Sequence, residues 1–525
     1  MKYAALINEP VHQTQPLNER QVPNNAGGFV FQIDMWSRLD RFLILGADCA
    51  SYYSKAADLT RENAKCVLEC YKADALKTVS TIVAVSHEGR APKNDPAIFA
   101  LALGAANEDV KVRQIALAAL PAVCRTSTHL FQFVKAARAL GRGWGRSMKR
   151  AVANWYNDKS VDRVAYQVIK YREREGYTHK RLMQTAHPSP GTDPARIALY
   201  QYLWGVKHQP ADLPTLIPAY EASMSKDSSK SFRIELVKQY NLPWEALPTE
   251  CNADPDYWEA MLPKLGLTAL IRNLGNMSRI GLIKPLSAAE KLICERLSNV
   301  EDLKKSRIHP FNILVALKTY ESGHGFRGSN SWDASQKVLS ALDKAFYKSF
   351  KNVIPSNKRH LIGLDISGSM SAQMQNTNVS CCEATAALSL VTASTEPQTH
   401  IMGFCHQFVD LGIRDGMSLN DATKRARLNN FGSTDCSLPM LYALDKKLDV
   451  DVFTVMTDNE TYAGRVHPSE ALKQYRKKSG INAKLIVVGM TATKFSIADP
   501  QDAGMLDVVG FSSNAPSVMA DFARK

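Results

Sequence analysis

Beyond residue 360, three short stretches carry Asp, Ser and Thr oxygens at the ends of apolar runs or in a glycine-containing loop, side chains of the kind that can hold a hard cation. The stretch "LIGLDISGSM" runs apolar from Leu361, stops at Asp365 and then sets Ser367 and Ser369 on alternating positions. A strand ending in Asp-x-Ser-x-Ser offers a carboxylate and two hydroxyls from one tight turn, a donor set suited to a hard cation that keeps several of its waters. Two more stretches extend it. "FGSTD" carries Thr434 in a glycine-containing loop before a helix, and "VMTDNE" closes an apolar run at Asp458. Asp, Ser and Gly are also ordinary turn residues, so Asp-x-Ser-x-Ser alone is equally consistent with turn and capping chemistry.

A second group of residues suits phosphate. In "SVDRVAYQVIKYRER" the apolar Val161, Val164, Ala165, Val168 and Ile169 recur at helical spacing, with Ser160 as N-cap and Gly176 shortly after the end. Arg163, Gln167, Lys170 and Arg174 then fall at i, i+4, i+7 and i+11, which predicts one basic stripe opposite the apolar face. "YTHKRLMQTAH" follows, with His179, Lys180, Arg181 and His187. Upstream, "KAARALGRGWGRSMKR" holds Lys135, Arg138, Arg142, Arg146, Lys149 and Arg150 around Trp144 without one acid. Such a region can track a phosphate backbone and stack unpaired bases. The plain alternative is the solvated outer face of a helical array; Glu173 and Glu175 dilute the stripe, and His187 by itself reads as a surface histidine.

The elements that must position these residues change period near "NVIPSNKR", where Pro355, Ser356 and Asn357 break a helical pattern. We therefore expect two units, residues 1–355 and 356–525. The second alternates short β-rich runs ("HLIGLD", "THIMGF", "DVFTVMTD", "AKLIVVGM") with helical stretches, the rhythm of a parallel sheet covered by helices on both faces. In such a sheet ligands sit at the carboxyl ends of the strands, where Asp365 and Asp458 fall. The first unit has few convincing strands and many amphipathic helix-length segments, consistent with antiparallel pairs stacked as a solenoid.

Charge follows the same division. Of 65 Lys+Arg and 51 Asp+Glu, only 18 and 17 lie from Lys351 onward, so almost all of the net +14 belongs to the helical unit. That excess suits a polyanionic partner, nucleic acid first. The ten cysteines show no CxxC pair and no zinc spacing, and read as reduced core residues. With 45% hydrophobic residues the chain can fill a core in each unit. No signal peptide is recognisable and no window approaches the roughly 20 apolar residues that span a bilayer, so no membrane contact and a cytosolic or nuclear location, the cytoplasm first, are expected.

Further stretches carry a resemblance. "CRTSTHLF" at Cys124–Phe131, "YREREGYTHKRL", "LTALIRNLGNM" at Leu267–Met277 and "RIHPFNILVALKTYESGHGFRG" at Arg307–Gly328 closely resemble the TROVE module of the Ro autoantigen RNA-binding family, and "YYSKAADLTRENA" and "SHEGRAPKNDPAIFALAL" fit as well. The order Asp365, Ser367, Ser369, Thr434, Asp458 resembles the metal-ion-dependent adhesion site of von Willebrand factor A domains. The resemblance implies a multidomain fold, an all-α ring of HEAT-like repeats followed by a Rossmann-like α/β von Willebrand factor A domain that joins the ring's two ends. It implies binding of small noncoding Y RNAs on the outer surface and of single-stranded 3′ ends of misfolded RNAs in a positively charged central hole. On that basis Lys170, Arg174 and His187, with His179 and Lys180, are expected at the Y RNA surface. Thr126, His129, Arg138, Arg142 and Arg146 are expected at the cavity or its rim. The five adhesion-site residues would surround or adjoin a divalent cation, Mg²⁺ first, whose shell a partner's carboxylate can complete. An exoribonuclease or another protein is the implied protein partner, and a monomer within an RNP the implied state. Catalysis is not expected, because no clustered carboxylates lie near the basic region. The competing reading is a metal-dependent protein-interaction platform with the ring as scaffold.

Overall fold

Between Met35 and Lys348 the described chain is mainly helices with short connections. The computed structural model describes residues 6–7, 9–24, 26–32, 34–45, 64–88, 93–206, 209–306, 308–325, 329–374, 377–405, 407–427, 434–457, 461–490, 495–509 and 515–524. Most of the stretch Tyr52–Ala64 lies outside them. Many helices start on a side-chain cap: Thr126 accepts from the His129 N–H, Ser160 from Arg163, Thr178 from Arg181, Ser287 from Glu290 and Ser335 from Val338. Each such cap satisfies an otherwise orphaned amide and contributes about 1 kcal/mol. The helices pack on one another in neighbouring pairs, Asp95–Ala105 on Ser127–Ala139 and Pro310–Glu321 on Gln336–Lys348. At Gly275 a Cβ would come within 2.7 Å of the Trp332 ring, so the helix–indole contact there needs glycine.

From Arg359 the architecture changes to a six-stranded sheet in the order 505–509, 484–489, 452–457, 359–365, 398–404, 408–410. Every pairing is parallel except that of the edge strand Phe408–Asp410 with Gln398–Phe404. The central strands are buried along their length, which is why they read as continuous apolar runs and not as alternation. The chain leaves the first strand, Arg359–Asp365, for the neighbour on one side and later returns on the other with Val452–Thr457. The crevice at the carboxyl ends of these two strands is therefore the topological switch point.

Two features run against the expectation from period alone. The first residues of the chain contain strands, and these belong spatially to the C-terminal sheet region: Gln21–Pro23 pairs with Phe29–Gln32, which pairs with Phe495–Ser496. The Val161–Lys170 helix also stops earlier than its sequence pattern suggests. After it Glu173–Arg174 pairs with Tyr177–Thr178, and the two residues between them, Glu175 (φ 57°) and Gly176 (φ 75°), both have left-handed backbone. That is the geometry of a two-residue hairpin turn, for which Gly at the second position is suited.

Both ends of the helical array thus meet the C-terminal domain. At the start, Arg20 grips Asp499 with two hydrogen bonds (2.7 and 3.1 Å), and Asn24 Nδ2 donates to the Thr461 carbonyl (2.8 Å). At the far end, the Tyr347 hydroxyl accepts the Leu419 N–H (2.7 Å) and Lys318 pairs with Glu383 (3.2 Å). The connecting segment is pinned by Glu396, whose carboxylate accepts the backbone amides of Ser356 and Asn357.

Candidate nucleic-acid interface and cation site

The cation candidate grows from the first strand of the sheet. Asp365 ends it, is 3% exposed, and accepts the Ser367 N–H at 2.9 Å and the Thr457 hydroxyl at 3.0 Å. Ser369 lies in the helical turn Gly368–Ser371, with its side chain outside the described residues, as is Asp458. Thr434 is buried at 6% exposure, and its carbonyl accepts the N–H groups of Tyr462 and Ala463. Thr457 bridges toward that loop, since Cys436 Sγ stands 3.7 Å from its hydroxyl. The Cys436 thiol pKa is pushed well up by burial and by the neighbouring Asp365 charge.

Chemically this is an all-oxygen, low-charge donor set, and it fits a hydrated hard cation better than a soft one. Among the described residues no cluster of three or more His, Cys, Asp or Glu side chains is placed to hold a metal. Of the expected set, the described Asp365, Ser367 and Thr434 would offer a cation one carboxylate and two hydroxyls, the rest of its shell being water and the residues outside the described ones.

What sequence reasoning missed is the role of the chain's beginning. Gln13 reaches across to the same loops: its amide nitrogen donates to Asp435 (2.9 Å) and to the Val466 carbonyl (2.7 Å), while its amide oxygen accepts from the Thr461 hydroxyl (2.6 Å). Thr461 Oγ1 also accepts the Cys436 N–H. The partly buried Asp435 has its carboxyl pKa raised by desolvation, against the hydrogen bonds of Ser437 and Gln13. No sequence signal points to Gln13, because the contact spans more than 400 residues of chain.

Packing between helices joins the two basic tracts of the sequence. Lys135 pairs with Glu175 at 2.5 Å and so ties the hairpin turn to the Ser127–Ala139 helix. The His179–Ala186 helix packs on Arg146–Asn157, which joins the two basic tracts. Arg138, Arg146, Arg172, Arg174, Lys180, Arg181 and His187 are exposed. Among the described residues, none of Arg138, Arg142, Arg146, Lys170, Arg174, Lys180 and Arg181 pairs with a carboxylate. Arg142 has its pKa lowered by burial and by the like charge of Arg113, the condition of a cation held beside another without an anion.

Individual residues of the expected set land differently. Gln167 lies on the buried face and accepts the Ser127 N–H (2.8 Å) and hydroxyl (3.1 Å), so there is no four-residue stripe. Arg174 sits on the hairpin, not on the helix. His179 is 3% exposed, within hydrogen-bond distance of the Tyr156 hydroxyl (2.9 Å) and edge-on to Phe131; burial lowers its pKa to about 4. It is a core histidine and offers no surface to RNA. Thr126 is occupied as a helix cap. His129, half-buried near Asn94, is lowered to about 4 by burial and Arg125. Lys180 is exposed on the adjoining helix, and His187 closes that helix with left-handed backbone (φ 50°) and an exposed side chain.

The comparisons with known proteins cover both halves. Residues 22–241 and 233–319 match the TROVE domain, and residues 359–523 match the Ro60 vWA domain. The chain is 43% identical to RNA-binding protein RO60 of Deinococcus radiodurans over 523 residues, 99% of this chain and 98% of the relative. It is 32% identical to RNA-binding protein RO60 of Caenorhabditis elegans, over 97% of this chain and 91% of that one. The crystal structure of the Deinococcus radiodurans RO (RSR) protein superposes with a TM-score of 0.76 at 42% identity, covering 94% of this chain and 99% of that chain.

Proposed function

The chain belongs to the Ro60 family, with a TROVE domain followed by a vWA domain, and from that premise we propose that it is an RNA-binding Ro protein that binds small noncoding Y RNAs and the single-stranded 3′ ends of misfolded RNAs. The observation that carries the reading is the cluster of unpaired cations built from two sequence tracts, Arg138–Arg146 and Lys170–Arg181, in a chain of net charge +14 that resembles RNA-binding relatives along nearly its whole length. Clustered cations without carboxylate partners gain most from displacing the counterions of a polyanion. Y RNA would lie against Lys170, Arg174, Lys180 and His187. A free 3′ end would be selected by width, since a duplex is too wide to enter a hole that admits a single strand.

In this reading the protein works as an RNP scaffold in RNA quality control, without a catalytic step of its own, as a monomer in the cytoplasm. A Mg²⁺ ion held by Asp365, Ser367, Ser369 and Thr434, with Asp458 close by, would give the vWA domain a site for a partner's carboxylate, such as that of an exoribonuclease. A metal-dependent protein platform is the second reading, favoured by the buried Asp365 at the sheet's switch point.

The deciding experiment is a gel shift across a salt series with a structured RNA carrying or lacking a single-stranded 3′ tail. The expected outcome is steep salt dependence and tighter binding with the tail. In Lys170→Ala/Arg174→Ala/His187→Ala a tail-independent component should be lost. No retention of either RNA at moderate salt would sink the RNA reading and leave the vWA crevice as the place to seek a partner.

A further inference from the structure

Three aromatic rings converge on one lysine at the end of the Val161–Lys170 helix. Lys170 Nζ lies 5.5 Å from the Tyr166 ring centroid, 5.6 Å from that of Tyr171 and 5.7 Å from that of Trp244. It also donates to the Tyr166 hydroxyl at 3.3 Å. The ammonium is thus much nearer the phenolic end of Tyr166 than its ring centre, so it fixes the ring without capping it. Tyr166 is 37% exposed.

The ground under the cluster is rigid and its surroundings are cationic. Trp244 is backed by the buried Trp258, the rings stacked at 5.7 Å and 23°. Arg174 joins Lys170 in the field of Glu245, and Arg172 is held over Tyr220 on the adjoining helix. Glu245 is an acid within this cluster; burial raises its carboxyl pKa and the charges of Lys170 and Arg174 lower it, and among the described residues it forms no ion pair with either cation. A partly exposed aromatic ring beside cations that form no ion pair among the described residues is complementary to one chemical unit, a base with its phosphate.

We propose that Tyr166, with Lys170 and Arg174, forms a stacking platform for one unpaired nucleotide of the bound RNA, the base lying on the Tyr166 ring and the phosphate on the two cations. This rests on the RNA-binding reading above and adds a requirement to it: the RNA must be unpaired where it crosses this helix end. In a continuous duplex both faces of each base are taken by its stacking neighbours, so only a bulge, loop or end can supply the contact. The platform is indifferent to base identity because every base has a π-face.

The test uses the full chain and two hairpin RNAs with the same stem, one with and one without a bulged 2-aminopurine. The parent should favour the bulged RNA and change the fluorescence of its 2-aminopurine. Tyr166→Ala should weaken binding of the bulged RNA by about 5- to 140-fold, equivalent to about 1–3 kcal/mol, and bring it to the level of the paired one. Its salt slope should stay that of the parent, whereas Lys170→Ala should lower the slope by about one. Tyr166→Phe, which keeps the ring and loses the hydrogen bond to Lys170, should bind as the parent does. The platform is overturned if Tyr166→Ala binds the bulged RNA as the parent does, or if Tyr166→Phe loses as much as Tyr166→Ala, since the ring would then act only by holding Lys170. A parent that binds neither RNA overturns the RNA-binding reading and the platform with it; a parent that binds while Tyr166→Ala is neutral overturns the platform alone.

Discussion

At the scale of the residue, the same side-chain type takes opposite roles eight positions apart. His179 is core and His187 is surface, although both lie in one basic stretch. The buried ring has a pKa of about 4, lowered by desolvation, against an ordinary 6.5. In the window between those values the unfolded chain binds a proton that the folded one does not, so stability from this group is complete above pH 6.5 and lost as pH falls toward 4. We expect His179→Asn to be less stable than the parent at pH 7.5 but to lose stability less steeply below pH 6.5, by up to about 1.4 kcal/mol per pH unit, measured by urea unfolding at a series of pH values. His129 and His309, also lowered to about 4, keep the variant's profile from becoming flat. A second residue-scale expectation concerns Asp365. Terbium luminescence should titrate to one site in the parent and vanish in Asp365→Ala, while equal titration in both would remove Asp365 from any cation site.

At the scale of the element, the helix over residues 161–170 shows where pattern reading stops. Its apolar spacing and Ser160 cap were legible, and both are present. Its end was not, because the continued charge pattern through Arg174 looks helical until Glu175 and Gly176 take left-handed backbone and turn the chain. The turn moves Arg174 off the helix, yet Arg174 and Lys170 remain neighbours around Glu245. Gln167 was misplaced for another reason. A helix packed on two sides has a buried face wider than its apolar stripe, and a polar residue at its margin can be buried if it caps another helix, as Gln167 does at Ser127.

At the scale of the whole molecule, the strap of residues 12–32 is what ties the chain's beginning to its last domain. Arg20 and Asp499 form the ion pair of that tie, with Asp499 4% exposed and its carboxyl held below the ordinary range despite burial by the hydrogen bonds of Arg20 and Gln501. Arg20→Ala leaves a buried carboxylate with the Gln501 N–H at 3.1 Å and Lys473 at 3.9 Å in place of its two guanidinium hydrogen bonds. We expect a loss of roughly 1–3 kcal/mol, and faster limited proteolysis within residues 12–32 than elsewhere. Unchanged cleavage of that segment would mean that the strand pairing with Phe29–Gln32, not the ion pair, holds the strap.

The sequence by itself determined the two periods, the change of architecture before Arg359, the uneven charge and the residues at the end of the first sheet strand. These are local properties: the spacing of apolar side chains selects helix or strand, and a strand's carboxyl end follows from where its apolar run stops. Only the tertiary structure decided which basic residues share a surface, that His179 and Gln167 are buried, that Tyr166 faces solvent beside Lys170, and that Gln13 is wired into the loops around Thr434. Each depends on contacts between segments far apart in the chain, and burial is set by what packs against a side chain, which its own neighbours in sequence do not specify.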